Sequence, residues 1–407
     1  MSPVLCSLLL ACHAQSVPAP APRPNVVLVI GDDIAVADMA RVSTPNLDSL
    51  AAGGAQFTRA YANPTCSATR RTILFGNWHG TESGSVCASP TPRTPSHGVL
   101  SFPGLMRDAG YRTALFGKWH VGANRVGPWE TAPQSHGFDT WRAGLAMNVK
   151  QCGSNSYSDW IRADDGVSRH SSEYNTIAIR DAFIEWWTNT PGPRFAVVAY
   201  QAAHTPFNRP PACILPRDYS PVETTRGQFE TVVASLDFVI GEMLATVDLD
   251  DTWFIFVGDN GTPRTAAPIP ARAKATTFER GIHVPLYLAH SALAPVRSAA
   301  LVHTVDLMAT VAEIAGITIA TTLDSRSFAP CLTVPEFEPR GWVFCAAEQY
   351  DDRCIRTARF KLRIAQGVEE LYDLQTDPHE SSPLDLFESR YRTIRDEHLE
   401  LLESLGR

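Results

Sequence analysis

Four side chains that carry oxygen, Asp32, Asp33, Asp259 and Asn260, stand in two short polar runs, Gly31-Asp32-Asp33 and Gly258-Asp259-Asn260-Gly261. Carboxylate and amide oxygens are hard ligands, of the kind that hold Ca²⁺ or Mg²⁺ rather than zinc or copper. A second set is cationic or titratable: Arg70, Lys118, Lys274, His120 and His204. Guanidinium, ammonium and imidazole groups suit a tetrahedral oxyanion such as sulfate or phosphate. Taken one at a time these residues have blander uses. An acidic pair can cap a helix or sit in a solvated turn, a lysine can lie in a solvated loop, Arg70 can form a helix-capping ion pair, and Cys66 can be a buried thiol. What favours a divalent cation facing an anionic substrate is their joint placement, most of these groups standing in the polar runs that follow apolar segments.

Those segments have the grammar of an α/β sheet. Residues 25–30 (NVVLVI) form a continuous apolar, β-branched run that suits a parallel strand covered on both faces, and it stops at Gly31-Asp32-Asp33. Thr44-Pro45-Asn46 then offers an N-cap with proline in the first turn, Leu47, Leu50 and Ala51 supply an apolar stripe, and Gly53-Gly54 closes it. The unit recurs as a helix over 102–109, a strand over 111–116 and the run Gly117-Lys118-Trp119-His120. A strand over 194–200 leads to His204-Thr205-Pro206. After it, Phe229, Val232, Val233, Leu236, Ile240, Met243, Leu244 and Val247 mark a long amphipathic helix. Residues 253–257 (WFIFV) form another buried strand, ended by Gly258-Asp259-Asn260-Gly261. Ligands collect at the C-terminal ends of strands in open α/β sheets, so the pattern predicts one site assembled from five distant segments. Trp186-Trp187 falls in a helical pattern after Ile184 and reads as core packing rather than a sugar platform.

The whole chain has 407 residues and a formal net charge of −8, which argues against a nucleic-acid binder. Apolar residues at 44% and charged residues at 19% lie within the globular range. No run approaches the roughly 18 apolar residues of a membrane-spanning helix. The expected fold is α/β, a large mixed, mostly parallel sheet flanked by helices, with a small C-terminal α+β subdomain. Residues 1–23 read as an export signal and Ala-Pro linker, 24–335 as the large domain and 336–407 as the subdomain, with alternating segments at 342–346 and 354–364 and a final helix at 385–405. Leu9-Leu10-Ala11-Cys12 resembles a bacterial lipoprotein box, which makes Cys12 a candidate lipid anchor and the location periplasmic or secreted. Outside the signal and Cys66, six cysteines remain: Cys87, Cys152, Cys213, Cys331, Cys345 and Cys354. Their pairing is open, although Cys345 and Cys354 are close enough to staple a hairpin.

The segment Cys66-Ser67-Ala68-Thr69-Arg70 resembles the Cys-x-Pro/Ala-x-Arg signature of type I sulfatases, members of the alkaline-phosphatase-like superfamily, in which the cysteine is oxidised to formylglycine. Leu74 and Gly76 fall where the longer pattern expects them. Residues 25–33, Thr44-Pro45-Asn46-Leu47-Asp48, Gly117-Lys118-Trp119-His120, His204-Thr205-Pro206, Gly258-Asp259-Asn260-Gly261 and 274–279 resemble further family segments. So do Arg356-Thr357-Ala358-Arg359-Phe360-Lys361 and Glu370-Leu371-Tyr372-Asp373-Leu374 near the C-terminus. The resemblance runs in order over roughly residues 24–380.

It implies a sulfuric ester hydrolase, arylsulfatase-like, acting on an aryl or carbohydrate sulfate, a small molecule or a saccharide. Asp32, Asp33, Asp259 and Asn260, with the modified Cys66, would bind Ca²⁺ or Mg²⁺. One hydroxyl of the aldehyde hydrate would attack sulfur, and loss of the second proton would regenerate the aldehyde and release sulfate. Arg70 would stabilise the hydrate, His120 would take the second proton with Lys118 as an oxyanion clamp, and His204 with Lys274 would bind the ester and assist the departing oxygen. A formylglycine-generating enzyme would be a partner during maturation. Two alternatives stay open: a phosphonate monoester or phosphodiester hydrolase of the same superfamily, and a non-catalytic binding protein on this scaffold. Departures from the family pattern are Ala68, Thr69 and Phe75, and above all Arg280 and His283, where two glycines and an arginine are usual. His79, His97, His136, His170, His283 and His303 carry no such support and are expected to be surface or packing residues.

Overall fold

The computed structural model describes residues 23–78, 100–121, 129–149, 156–217, 219–320, 323–347 and 351–405. Cys12, Cys87, Cys152, His79, His97 and the signal segment up to residue 22 lie outside the described residues. The strands are β1 (Asn25–Gly31), β2 (Ala55–Tyr61), β3 (Arg112–Lys118), β4 (Thr140–Leu145), β5 (Trp160–Asp164), β6 (Val167–Ser171), β7 (Arg194–Ala199), β8 (Thr252–Gly258), β9 (Leu286–Ala289), β10 (Val296–His303), β11 (Trp342–Ala346), β12 (Asp352–Thr357), β13 (Phe360–Ala365) and β14 (Val368–Asp373). The helices are α1 (Val36–Met39), α2 (Pro45–Gly53), α3 (Cys66–Phe75), α4 (Phe102–Asp108), α5 (Asn175–Asn189), α6 (Thr225–Leu244), α7 (Glu279–Ile282), α8 (Leu307–Ile314) and α9 (Ser389–Ser404).

Strands β1 to β10 form one sheet in the order β10-β2-β9-β8-β1-β7-β3-β4-β5-β6. Its centre, β8-β1-β7-β3-β4, is parallel, and antiparallel pairs occur at β2/β9, β8/β9, β4/β5 and β5/β6. This is the expected mixed, mostly parallel sheet. The apolar run of β1 divides its side chains between two layers: Val27 and Val29 pack with α5 and α6, while Val26, Leu28 and Ile30 pack with residues of α3, α4 and α8. Covering both faces in this way is what a continuous apolar strand requires, and each fully buried Val, Leu or Ile contributes about 1.5–3 kcal/mol. Trp186 and Trp187 lie in α5 and are buried in the first layer, as core packing demands.

Register brings the strand ends level. Gly31 pairs with Gly258, Ile30 with Ala199, and Gly117 with Ala199. Asp32, Asp259 and Lys118 therefore follow adjacent rungs at the same edge. Gly117 has φ of +85°, and a Cβ there would lie 2.2 Å from the Ala199 carbonyl oxygen, so only glycine fits the strand end that delivers Lys118.

The C-terminal sheet is antiparallel, β11-β12-β13-β14, with α9 against it. The segment expected over 354–364 is two strands, β12 and β13, separated by the turn at Ala358-Arg359. No glycine or proline marks that turn, which is why periodicity alone runs the strands together. Cys345 and Cys354 face each other across β11 and β12 as free, fully buried thiols beside Tyr61, Ile282 and Leu301. Lys361 is buried at this seam, its ammonium bonded to the Thr277 carbonyl (2.9 Å) and to Glu279 (3.0 Å) and paired with Glu380.

Candidate active site

Cys66 opens α3 and is 3% exposed. Arg70 lies four residues on, hence on the same helix face one turn later. The thiol of Cys66 lies 3.3 Å from Asp32 Oδ1 and 3.9 Å from Asp33 Oδ1, and the Lys274 ammonium is 3.2 Å away. The ligand atoms of Asp32, Asp33, Cys66 and His204 all lie within 4.8 Å of one another. Asp259 stands beside this group rather than within it. Its Oδ1 accepts the Asp33 N–H (3.2 Å), and its Oδ2 is gripped by Arg70 through Nε (3.0 Å) and Nη2 (2.8 Å). Asn260 directs Nδ2 to Asp33 Oδ1 (2.6 Å) and to the Gly261 carbonyl (3.0 Å).

Three buried carboxylates so close together require cations. Lys118 ion-pairs with Asp32, Lys274 bonds Asp33 Oδ1 at 2.5 Å, and Arg70 also approaches Asp32 at 3.6 Å. Burial opposes the Asp32 charge, but Lys118, ahead of His204, Lys274 and Arg70, holds its carboxyl well below the usual range. Burial pushes Asp33 up to about 6 against the pull of Lys274, and raises Asp259 as well. The donor set fits a hard divalent cation. Beyond its carboxylates, the Asn260 Oδ1 is buried and has no hydrogen-bond donor among the described residues, an acceptor that a cation would satisfy.

Burial, with Asp259 and Asp32, drives the Cys66 thiol well above its ordinary value, so the thiolate is disfavoured despite the helix N-terminus. His120 is held neutral by burial and the neighbouring Lys118, and its Nδ1 has no partner among the described residues. His204 is pushed down to about 3 by burial and Lys274. Its Nδ1 lies 2.8 Å from the Thr205 carbonyl, which assigns the proton there and leaves Nε2, 3.8 Å from Asp33 Oδ2, as an acceptor. Lys274 stays charged: burial opposes it, but Asp33 leads Cys66, Asp32 and Asp259 in raising it.

The backbone that carries these groups is cross-tied. The Asp32 N–H donates to the Ala202 carbonyl (2.8 Å) and the Asp32 carbonyl accepts the Ala203 N–H (2.7 Å), which fastens the His204 loop to the end of β1. Ala275 N–H donates to the Pro64 carbonyl (2.8 Å), tying the Lys274 loop to the turn before Cys66. Asp33 (φ 62°), His120 (φ 49°) and Ala275 (φ 68°) are all left-handed without being glycine, a concentration of strain typical of functional loops.

Of the residues expected from sequence, Asp32, Asp33, Cys66, Arg70, Lys118, Lys274, Asp259 and Asn260 are linked by direct contacts, His204 Nε2 lies 3.8 Å from Asp33, and His120 meets the group through the charges of Lys118, Arg70 and Asp32. Two further contributors were not foreseen. Asn148, just past β4, accepts the Lys118 ammonium at 2.6 Å. The same rule of a polar residue after an apolar strand would have pointed to it. Tyr157 is fully buried and donates to the Gln201 (3.0 Å) and His204 (2.8 Å) carbonyls, a role with no sequence signal. Thr69 bonds the backbone of Asn63 through its hydroxyl, at 3.0 and 3.2 Å. His283 stacks on Tyr61 and Nε2 meets the Thr58 carbonyl at 2.9 Å, while Arg280 turns to Asp38. His136 and His303 pack against Trp119 and Trp78, and His170 pairs with Asp159 at the surface.

The chain matches the family model described as Sulfatase over residues 24–317. It is 28% identical over 308 residues to the N-acetylgalactosamine-6-sulfatase of Mus musculus, covering 66% of this chain and 57% of that protein. The chain thus spans little more than half the length of that curated relative. Among solved structures, a chain from work on glycosaminoglycan metabolism by Bacteroides thetaiotaomicron superposes with a TM-score of 0.80 at 20% identity, covering 95% of this chain and 99% of that one. Another, solved in complex with its substrate D-glucosamine-2-N,6-O-disulfate, gives 0.73 at 20% identity and covers 94% and 97%. At these identities the structural matches speak to the fold.

Proposed function

Because the chain belongs to the sulfatase family, we propose that it hydrolyses a sulfate ester to an alcohol and inorganic sulfate, with Cys66 matured to formylglycine and Ca²⁺ or Mg²⁺ bound by Asp32, Asp33, Asp259 and Asn260. The observation that carries this reading is the convergence of Arg70, Lys118 and Lys274 with three carboxylates around one buried Cys66. A saccharide sulfate is favoured over an aryl sulfate, since one relative is an N-acetylgalactosamine-6-sulfatase and one structural neighbour holds a disulfated glucosamine.

The modified Cys66 would supply a hydrated aldehyde as nucleophile and the cation a Lewis acid for a sulfate oxygen. The protein's own side chains do the rest. Arg70 is immobilised by Asp259 and by the Lys118 carbonyl (3.0 Å), which fixes a guanidinium beside the nucleophile. Lys118 and Lys274 offer charge to the ester's oxygens, and in this buried setting such charge is worth far more than in water. His120, held neutral, is suited to accept a proton. Lys274, held charged, is suited to stabilise the departing oxygen, while the neutral His204 would take part in binding the ester through Nε2 as an acceptor. This reading treats residues 24–335 as the catalytic domain, 336–407 as its subdomain and 1–23 as a signal and linker. The protein is then exported, periplasmic or secreted, with Cys12 as a candidate lipid anchor and a formylglycine-generating enzyme as its maturation partner.

The test is release of inorganic sulfate from matched saccharide substrates by wild-type protein and Cys66→Ala. Turnover that vanishes in the variant while its circular dichroism is unchanged supports the reading, and near-normal activity in the variant overturns it. Matched phosphonate and phosphodiester substrates in the same assay distinguish the related hydrolase, and bound cation without turnover of any ester would mark a non-catalytic binding protein.

A further inference from the structure

Asp38 is a fully buried carboxylate whose hydrogen bonds and ion pairs among the described residues go to groups outside the catalytic cluster. An isolated buried charge costs several kcal/mol, so its partners show what it holds in place. Its Oδ2 accepts the Ala35 N–H (3.0 Å) and the Thr262 hydroxyl (2.7 Å). Its Oδ1 faces Arg226 Nη1 at 2.7 Å and Arg280 Nη1 at 3.5 Å. Ala35 lies two residues past Asp33, and Thr262 two residues past Asn260. One carboxylate thus joins the two loops that bear the oxygen ligands.

Thr262 extends the tie. It is fully buried, its N–H donates to the Arg280 carbonyl (3.0 Å), and its carbonyl accepts the Lys274 N–H (2.9 Å). Arg280 Nη1 also reaches the Thr262 hydroxyl at 3.3 Å. The intervening Gly261 donates to the Gly281 carbonyl (2.9 Å), and a Cβ on it would lie 1.8 Å from the Arg280 carbonyl oxygen, so the two segments are pressed together. We propose that Asp38 and Thr262, braced by Arg226 and Arg280, form a positioning node that sets the Asp32-Asp33 loop, the Asp259-Asn260 loop and Lys274 in register for cation and ester binding. The proposal rests on the reading of the four oxygen-bearing residues as cation ligands. It also gives Arg280 a use: its guanidinium strengthens the node from α7, at the position where a glycine is usual in the resemblance noted above.

Threonine and valine have nearly the same shape, so Thr262→Val removes the hydroxyl and little else, whereas Thr262→Ser keeps it. Outer-shell partners of metal ligands usually affect affinity by 10- to 100-fold. The experiment is calorimetric titration of Ca²⁺, and separately Mg²⁺, into the full-length chain depleted of cations, with Tm measured on the same samples. Thr262→Val is expected to bind the cation at least about tenfold more weakly, and to show a raised KM for sulfate ester at a fixed subsaturating cation concentration, while Thr262→Ser restores both. If Thr262→Val does not fold, Thr262→Ala reads the same quantities without placing a methyl group against Asp38. Wild-type affinity in the valine or alanine variant, even with a lowered Tm, overturns the node and leaves the cation reading standing. A wild-type protein that binds neither cation overturns that reading and the node with it.

Discussion

Cys66 sits at a helix N-terminus, which ordinarily lowers a thiol's pKa, yet burial and the nearby Asp259 and Asp32 carboxylates push it the other way. As a plain cysteine it is a poor nucleophile here, and the surrounding charges are better matched to an oxygen nucleophile and a cation. Arg70 is a sharper probe of the cluster than its charge alone suggests, because its fork engages Asp259 and the Lys118 carbonyl together. Lysine cannot reproduce that fork. Arg70→Lys is expected to lower kcat/KM by about 10²–10³, the loss associated with one oxyanion-site donor, as measured by sulfate release. Chelation by EDTA should abolish turnover, and adding back Ca²⁺ or Mg²⁺ should restore it. Full activity in the chelated protein would contradict the role given to Asp32, Asp33 and Asn260. These residues were legible from sequence because each follows an apolar strand and belongs to a short ordered motif. Tyr157, Asp38 and Thr262 were not, since their work depends on which distant groups the fold brings beside them.

At the scale of elements, four adjacent parallel strands, β8, β1, β7 and β3, end at one edge, and their loops are fastened to one another by backbone bonds. Tyr157 closes this arrangement by donating one hydroxyl to two carbonyls of the His204 loop. Tyr157→Phe keeps the ring but leaves those carbonyls short of a donor, a cost of about 1–3 kcal/mol. The expected result is a fall in kcat of about tenfold or more with a modest loss of Tm, read from steady-state kinetics and thermal unfolding. A drop in Tm with unchanged kcat would mean that the tyrosine is structural only. The strands β1 and β8 were readable because buried parallel strands are unbroken apolar runs. β2 (AQFTRAY) was not, because Gln56, Thr58 and Arg59 interrupt the apolar signal, and only its pairing with β9 and β10 makes it a strand. The β12–β13 turn was hidden for a related reason, having no turn-forming residue of the usual kind.

Across the whole molecule, the seam between the large sheet and the C-terminal sheet is held by a buried charge group in which Lys361 meets Glu279 and Glu380. Burial opposes the Glu279 charge, but Lys361, His283 and Arg356 outweigh it and hold the carboxyl at about 2, below its ordinary 4.5. A carboxylate depressed on folding stabilises the protein above its unfolded value and loses that contribution as pH falls through the folded one. The stabilisation from Glu279 is therefore fully present above about pH 4.5 and is lost as pH falls toward about 2. Glu279→Gln leaves the Lys361 ammonium under-compensated and should cost about 3–5 kcal/mol at neutral pH, with the difference from wild type shrinking as pH drops toward 2. Urea unfolding across that range measures it, and a difference independent of pH would exclude the charge pair as its source. The charged residues of this seam are visible in the sequence, but their burial is not. Lys361 lies on an exterior-looking alternating strand, and only the packing of that sheet against Thr277 and Glu279 removes it from water.

The central claim concerns one side chain, and the mass of the tryptic peptide Ala60 to Arg70 (AYANPTCSATR) from protein matured beside its own formylglycine-generating enzyme tests it most directly. The account predicts loss of the Cys66 thiol in favour of an aldehyde or its hydrate. An intact cysteine at position 66 in protein that releases sulfate from its ester would contradict it.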